Sequence, residues 1–289
     1  MKPFLPFLTL LAAAPAWAKA PSSGGAPIPI TITAKGGMSW SQNNETITAS
    51  GDARAVHGNV TVEADQLIAH YRKQSGTAAN TAAAKGPGGV LDQEGGKLSK
   101  LEAVGHVHIF TPTDNGWGDH AVYDLATKTL VLTGRHIKLT TPQDTITARD
   151  SISYNTAQRV AVARGDARIV AHDGRSISAD IITGYLAPAA AAKNSAPVGL
   201  DQAGNLKKVE AVGHVVIRTT TDTATGERGV YLPQTGKARL GGNVHIIHGK
   251  NEMAGSDALV NMKTGTATLL AGKGGQVSGV ILPNSGASQ

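Results

Sequence analysis

Leu101–Val107 reads LEAVGHV, and Val209–Val215 reads VEAVGHV. Both copies run on into further alternating apolar residues, His108–Phe110 (HIF) after the first and Val216–Arg218 (VIR) after the second. A match this close marks one structural unit copied within the chain. The glycine of the repeat leads outward, because a Gly followed by an alternating strand recurs at GDARAV (Gly51), GHVHIF (Gly105), GRHIKL (Gly134), GDARIV (Gly165), GHVVIR (Gly213) and GNVHII (Gly242). The steps are 54, 29, 31, 48 and 29 residues, a period near thirty with two long intervals.

An acid keeps the same period one strand later, at Asp65, Asp119, Asp150, Asp180, Glu227 and Asp257. Thirty residues make two strands with their turns, at roughly 3.3 Å per residue. Each strand offers one apolar face that it cannot bury alone, so stacking of neighbouring units is the expected solution. Turn residues fall where hairpins need them, at Asn155 (NTAQ), Leu232 (LPQTGK) and Asn261 (NMKTG). Period two places Val107 with Ile109, Ala167 with Ile169, Val215 with Ile217 and Val244 with Ile246 on one inward face. The unit at Gly134 is displaced by one residue, with Ile137 and Leu139 inward, which calls for a bulge there. On the returning strands Leu67, Ala69, Tyr71, Ala121, Tyr123, Leu125, Ile152 and Tyr154 take the inward side.

Composition agrees with an all-β chain. Of 289 residues 40% are hydrophobic and only 4% aromatic, and 35 are Gly; short Val, Ile and Thr runs joined by tight turns fit strands better than helices. Residues 1–18, MKPFLPFLTLLAAAPAWA, carry a basic start, an apolar run and small residues at Ala16 and Ala18, the pattern of a cleavable secretory signal. No cysteine is present, so an exported chain would be stabilised by burial and strand pairing alone. The net charge of +6 is mild and dispersed, which does not mark a nucleic-acid binder.

The predicted organisation is a signal at 1–18, a flexible leader at 19–29, a first copy at 30–164 with a loop insert at 72–97, a second copy at 165–272 with an insert at 187–205, and a flexible tail at 273–289. The inserts are rich in Ala, Gly, Pro and Asn and present no periodic apolar face. The sequence contains no GxSxG, HExxH, phosphate-loop or GxGxxG motif, so no catalytic residue, cofactor or metal is expected and the chain is read as not an enzyme. The once-per-unit acids suit turn and edge positions better than a catalytic pair. His106 and His108, two apart on one strand, and His245 and His248 have the spacing of some metal ligands. Val216 replaces His108 in the second copy, which favours exposed polar alternates over a metal site.

The succession ITITA from Ile30, ETITASGDARAVHGNVTVEADQLIAHY from Glu45, LEAVGHVHIF, WGDHAVYDLATKTLVLTG from Trp117 and ITARDSISYNTAQRVAVARG from Ile146 resembles the OstA-like (LptA) family of periplasmic lipopolysaccharide-transport bridge proteins. The resemblance implies an antiparallel half-open β-jelly roll, built here from stacked repeats in nearly two copies of the family core. It implies a periplasmic protein whose groove shields the acyl chains of lipopolysaccharide (lipid A). The matching groove positions are Ile30, Ile32, Val107, Ile109, Phe110, Tyr123, Leu125, Leu130 and Leu132, joined by Ile152 and Tyr154; Phe110 follows Ile109 out of strict alternation. It further implies edge pairing with an inner-membrane-anchored LptC-like protein at the N-terminal edge, an outer-membrane LptD-like receptor at the C-terminal edge, and head-to-tail self-association. The rival from the repeat pattern alone is a secreted β-helix-like protein that binds or cleaves polysaccharide. A filled interior favours the rival and an open apolar groove the conduit.

Overall fold

The computed structural model describes residues 30–73, 96–187, 206–271 and 275–280. The expected signal, the leader, the interiors of both inserts and most of the tail lie outside the described residues. Every regular element among them is a β-strand: β1 Ile30–Thr33, β2 Met38–Ser41, β3 Thr46–His57, β4 Val60–Lys73, β5 Gly96–Phe110, β6 Asn115–Asp124, β7 Thr129–Thr133, β8 Ile137–Thr140, β9 Asp144–Ala148, β10 Ser151–Asn155, β11 Val160–Ala171, β12 Ser176–Leu186, β13 Leu206–Arg218, β14 Asp222–Leu232, β15 Lys237–His248, β16 Asn251–Asn261, β17 Thr266–Leu270 and β18 Ser278–Val280.

All pairings are antiparallel and follow one rule, in which each long strand bends midway and contributes its two halves to two different wings. The early half of β3 pairs with β2 and the late half with β1; β6 likewise pairs with β7 and β8, β11 with β10 and β9, and β16 with β17 and β18. Of the eighteen strands, eight therefore join end to end as four split rungs, and with ten unbroken strands they form one stack of fourteen rungs. The result is a half-open β-jelly roll, two wings meeting along a bent corner.

The corner is where the sequence period becomes geometry. Gly51–Asp52, Gly105–His106, Gly165–Asp166, Gly213–His214 and Gly242–Asn243 all adopt left-handed backbone, the glycines at φ 77–81° and their followers at 45–46°. Asp, Asn and His are the side chains that best tolerate that region, which explains why the motif reads G-D, G-H or G-N. Each dipeptide faces a single residue of the next strand. Ser50 pairs with Gln66 and Ala53 with Ala64, leaving Gly51 and Asp52 opposite Asp65 alone; Val212 pairs with Arg228 and Val215 with Gly226, leaving Gly213 and His214 opposite Glu227. This two-against-one arrangement is a β-bulge, which bends the strand and increases its twist.

The once-per-unit acids fill the space over the glycine of the following rung. A Cβ on Gly105 would overlap Asp65 Oδ2, on Gly165 Asp150 Oδ2, on Gly213 Asp180 Oδ2 and on Gly242 Glu227 Oε2. His106 Nδ1 donates to Asp65 at 2.9 Å and His214 Nδ1 to Asp180 at 2.9 Å. At the displaced unit the corner is a bend between β7 and β8, where Gly134 has φ 149° and Asp119 Oδ2 accepts from Arg135 N at 2.9 Å. That bend absorbs the extra residue and leaves Ile137 buried. Inside the corner Ala53, Val107, Ala167, Val215 and Val244 form a row of almost fully buried side chains.

On the outer face of the early rungs polar side chains cross-link neighbouring strands. Glu102 on β5 accepts from His120 of β6 at 2.8 Å, from Lys100 at 3.1 Å and from His70 of β4 at 3.1 Å. Burial opposes ionisation of Glu102, but the hydrogen bonds from His120, Lys100 and His70 outweigh it and hold the carboxyl at about 2. Because the folded value lies below the unfolded one, the cluster stabilises the fold above about pH 4.5 and the benefit is lost as pH falls through about 2.

Two outcomes follow for stability. Gly213→Ala is expected to lower urea-unfolding stability by about 2 kcal/mol, combining left-handed strain with displacement of Asp180. Gly174→Ala, at φ 86° with open space around it, should cost about 1 kcal/mol; equal losses would mean that the acid over the glycine contributes nothing. Glu102→Gln should be less stable than the parent at neutral pH, with the gap closing in acid melts taken towards pH 2. A gap independent of pH would exclude the ionised cluster.

Candidate functional site

Where the wings face one another, their sides are apolar. Near the first rungs Ile30, Ile32, Ile47, Val62, Leu101, Ile109, Tyr123 and Leu130 surround a cavity of about 80 Å³. Farther along, Ile109 and Leu130 also border a larger cavity of about 320 Å³, completed by Leu132, Leu139, Ile146, Ile152, Tyr154, Ile169, Ile182, Leu186 and Leu206. The two cavities share residues and form one run along the groove. The mouth of the larger one has a polar rim on one wing, supplied by the β5–β6 turn (Thr113, Asp114) and the β8–β9 turn (Thr141 to Asp144).

Those rim turns and the β13–β14 turn are built alike. Thr111 Oγ1 accepts from Asp114 N at 2.9 Å, Thr141 Oγ1 from Asp144 N at 3.0 Å and Thr219 Oγ1 from Asp222 N at 2.9 Å. Threonine and aspartate thus satisfy the turn backbone locally, as short hydroxyl side chains do. Asp144 is partly desolvated here; burial first, and then the neighbouring Asp173 carboxylate, raises its pKa.

The groove changes character along its length. From β13 onward the interior is filled by Val209, Ile217, Leu240 and Ile246, each no more than 2% exposed, with Ala258, Val260 and Met262 also buried. The cavity there is about 10 Å³, bordered by Ile217, Ala224, Ile246, Val260 and Ala267. The first two-thirds of the stack is open and the last third is packed.

Most of the residues expected in the groove stand in its lining. Ile30, Ile32, Ile109, Tyr123 and Leu130 border the first cavity; Ile109, Leu130, Leu132, Ile152 and Tyr154 border the second. Three do not. Val107 is 1% exposed and lies in the corner core, because it directly follows the bulge. Phe110 faces outward, where alternation after Ile109 puts it: its ring stacks on His108, centroids 4.6 Å apart, and His108 stacks on Trp117 at 5.0 Å. Leu125 lies in the turn after β6. Conversely, Leu139, Ile146, Leu186 and Leu206 line the larger cavity but stand outside the expected groove set, although Leu139 is expected to face inward. Strict alternation in Asp144–Ala148 would have found Ile146, whereas Leu186 and Leu206 flank an insert and carry no local signal.

The histidines are engaged separately. His106 meets Asp65 at the corner, His108 bonds Asn115 at 3.1 Å, His245 pairs with Glu252 at 3.3 Å and His248 with Asp222 at 2.6 Å. Among the described residues no group of three or more His, Cys, Asp or Glu side chains is placed to hold a metal ion.

An antiparallel half-open β-roll with an apolar lining on its concave side defines the class, an all-β groove protein. Within that class, the chain belongs to the LptA/(LptD N-terminal domain) LPS transport protein family, whose model matches residues 31–160 and again residues 150–266. Among solved structures it is similar to LptH, the LptA homologous periplasmic component of the conserved lipopolysaccharide transport device from Pseudomonas aeruginosa, at 17% identity and a TM-score of 0.39, over 48% of this chain and 95% of that one. No curated protein matches the sequence.

Burial separates two kinds of inward residue. Val107→Asp should abolish strand content in circular dichroism, because an unpaired carboxylate in the corner costs several kcal/mol, on the order of 3–5. Leu139→Asp, half-buried on the groove wall, should leave the spectrum intact while reducing uptake of an apolar dye. A folded Val107→Asp protein would remove the corner from the core.

Proposed function

We propose that this protein is a periplasmic lipopolysaccharide carrier that shields acyl chains in the groove between its wings, and that it acts in transport and not as an enzyme. The observation that carries this reading is the apolar run joining the two cavities. Its walls are mostly Ile, Leu, Val, Ala and Tyr; the polar residues are the Thr, Gln and Asp of the rim turns at the larger cavity and Glu102 bordering the smaller one. An acyl chain of about a dozen methylenes, at ~0.8 kcal/mol each, costs on the order of 10 kcal/mol to hold in water. A glycolipid with several chains therefore needs a lining of this kind to cross an aqueous compartment. The polar rim would leave the sugar headgroup in solvent.

Family membership supports the lipid class, and the amino-terminal signal pattern supports the compartment. The open interior favours the conduit over the polysaccharide-binding β-helix. The proposed organisation is two copies of the family core, 30–164 and 165–272, stacked as one continuous roll.

Bridging belongs to the same reading. The first rung, β1 with β2, and the last, β17 with β18, end the stack. Rung ends offer backbone donors and acceptors to an added strand. The N-terminal end would meet an inner-membrane-anchored LptC-like protein and the C-terminal end an outer-membrane LptD-like receptor, and the same two ends would allow head-to-tail association of copies.

Leu130→Asp and Leu139→Asp are expected to reduce co-purifying lipopolysaccharide at least tenfold, measured by mass spectrometry of lipid extracted from periplasmic protein. Undiminished lipid in both variants would reject the groove. Deleting Ile30–Thr33 should abolish capture of the membrane-anchored partner while the remaining strands fold; normal pull-down would reject edge pairing at that end.

A further inference from the structure

The open and packed sections of the groove meet at a contact between the wing tips. Arg175, in the turn between β11 and β12, donates from Nη1 to the carbonyl oxygen of Met262, in the turn between β16 and β17, at 3.1 Å. The two residues are 87 positions apart and stand on opposite wings: the late half of β11 pairs with β9, whereas the late half of β16 pairs with β17. The guanidinium is aimed by Asp173, whose Oδ2 accepts from Nε at 2.6 Å and whose Oδ1 accepts from Arg175 N at 3.2 Å. Arg175 is mostly buried for an arginine, with 22% of its side chain exposed. Tyr231, half-buried on the Met262 wing, has Arg175, Asp144 and Asp173 as its charged neighbours.

Each turn is anchored to its own wing. His172 N donates to Gln143 O at 2.9 Å, and Met262 N donates to Gly236 O at 2.8 Å. The Arg175 bond is therefore a strap between two braced tips. One rung farther the tips approach again, where a Cβ on Gly265 would be 3.8 Å from Thr221 Oγ1 and 4.0 Å from Asp222 Oδ2.

The strap stands at the boundary between compartments. Asp144, its neighbour, borders the 320 Å³ cavity, while past it the interior is close-packed and the cavity falls to about 10 Å³. A close-packed interior has no cross-section free for a hydrocarbon chain. We propose that Arg175 is a clasp that ends the ligand-bearing section of the groove and must release Met262 before an acyl chain can advance into the last rungs. This rests on the lipid-carrier reading, which supplies the ligand. Release is local, since the arginine can swing away while both turns keep their own anchors.

The chain has no cysteine, so His172→Cys and Thr264→Cys place the only two thiols on the two tips. With spin labels there, pulsed electron resonance measures the gap. The ligand-free parent should give one short, narrow distance, and both Arg175→Ala and Asp173→Asn should shift it to longer, broader values with unchanged circular dichroism. An identical distribution in both variants would overturn the clasp. Adding purified lipopolysaccharide should lengthen the parent distance; an unchanged distance with lipid bound would overturn release. Failure of lipid to bind at all would reject the carrier reading instead, and the ligand-free comparison would still decide whether Arg175 holds the tips.

Discussion

The bend of β3, β5, β11, β13 and β15 depends on a two-residue bulge in left-handed backbone, and at the last four of these an acid sits over the glycine. Without that corner the long strands would pair as a single twisted sheet, with one apolar face exposed to water. With it, each strand serves two wings, and the apolar faces of both turn inward toward one another. Glycine is required at these corners for two separate reasons: the positive φ and the carboxylate that occupies the place of a Cβ. The residue after it needs only the first, which is why Asp, His and Asn all serve there. The carboxylate is in turn held by a cation or an imidazole, as in His106 with Asp65, His214 with Asp180 and Arg149 with Asp150 and Asp166.

Repetition of the corner makes the stack regular, yet it does not make the interior uniform. Both halves carry inward Val and Ile in the same register, and Val107, Val215 and Val244 are equally buried at the corner. What differs is how near the tips of the wings come to one another. In the first two-thirds of the stack lie the two cavities that share Ile109 and Leu130. In the last third the turns at Asp173–Arg175, Thr219–Asp222 and Met262–Gly265 approach, and the side chains between them pack without room for a ligand. A regular stack thus contains an open section, which runs into the second copy, and a closed one.

The outer surface follows the same cross-strand logic with different chemistry. Facing positions on β4, β5 and β6 gather His70, Glu102 and His120 into one cluster. On the other wing Phe110, His108 and Trp117 stack, with Arg54 over Phe110 and Lys138 over Trp117. The second copy has Val216, Arg218 and Thr225 at the corresponding places, so this ladder belongs to the first copy alone. In the first copy charges and rings on this face pair with one another, whereas in the second Val212, Val230, Ile247 and Leu259 stand exposed.

The period, the strands, the corners and most of the inward residues are legible in the sequence. Side-chain alternation and the left-handed backbone of a Gly-Asp or Gly-His pair are local properties, readable a few residues at a time. They identified Ile109, Leu130, Leu132, Ile152 and Tyr154 as lining, and the once-per-unit acids as structural. Locality also set the errors: Val107 was inward but too close to the bulge to reach the groove, Phe110 obeyed alternation and faced out, and Leu125 belonged to a turn. Where the groove is open is a matter of long-range packing. That depends on the separation of two wing tips, and on a bond such as Arg175 to Met262 between residues 87 positions apart, which no local pattern encodes.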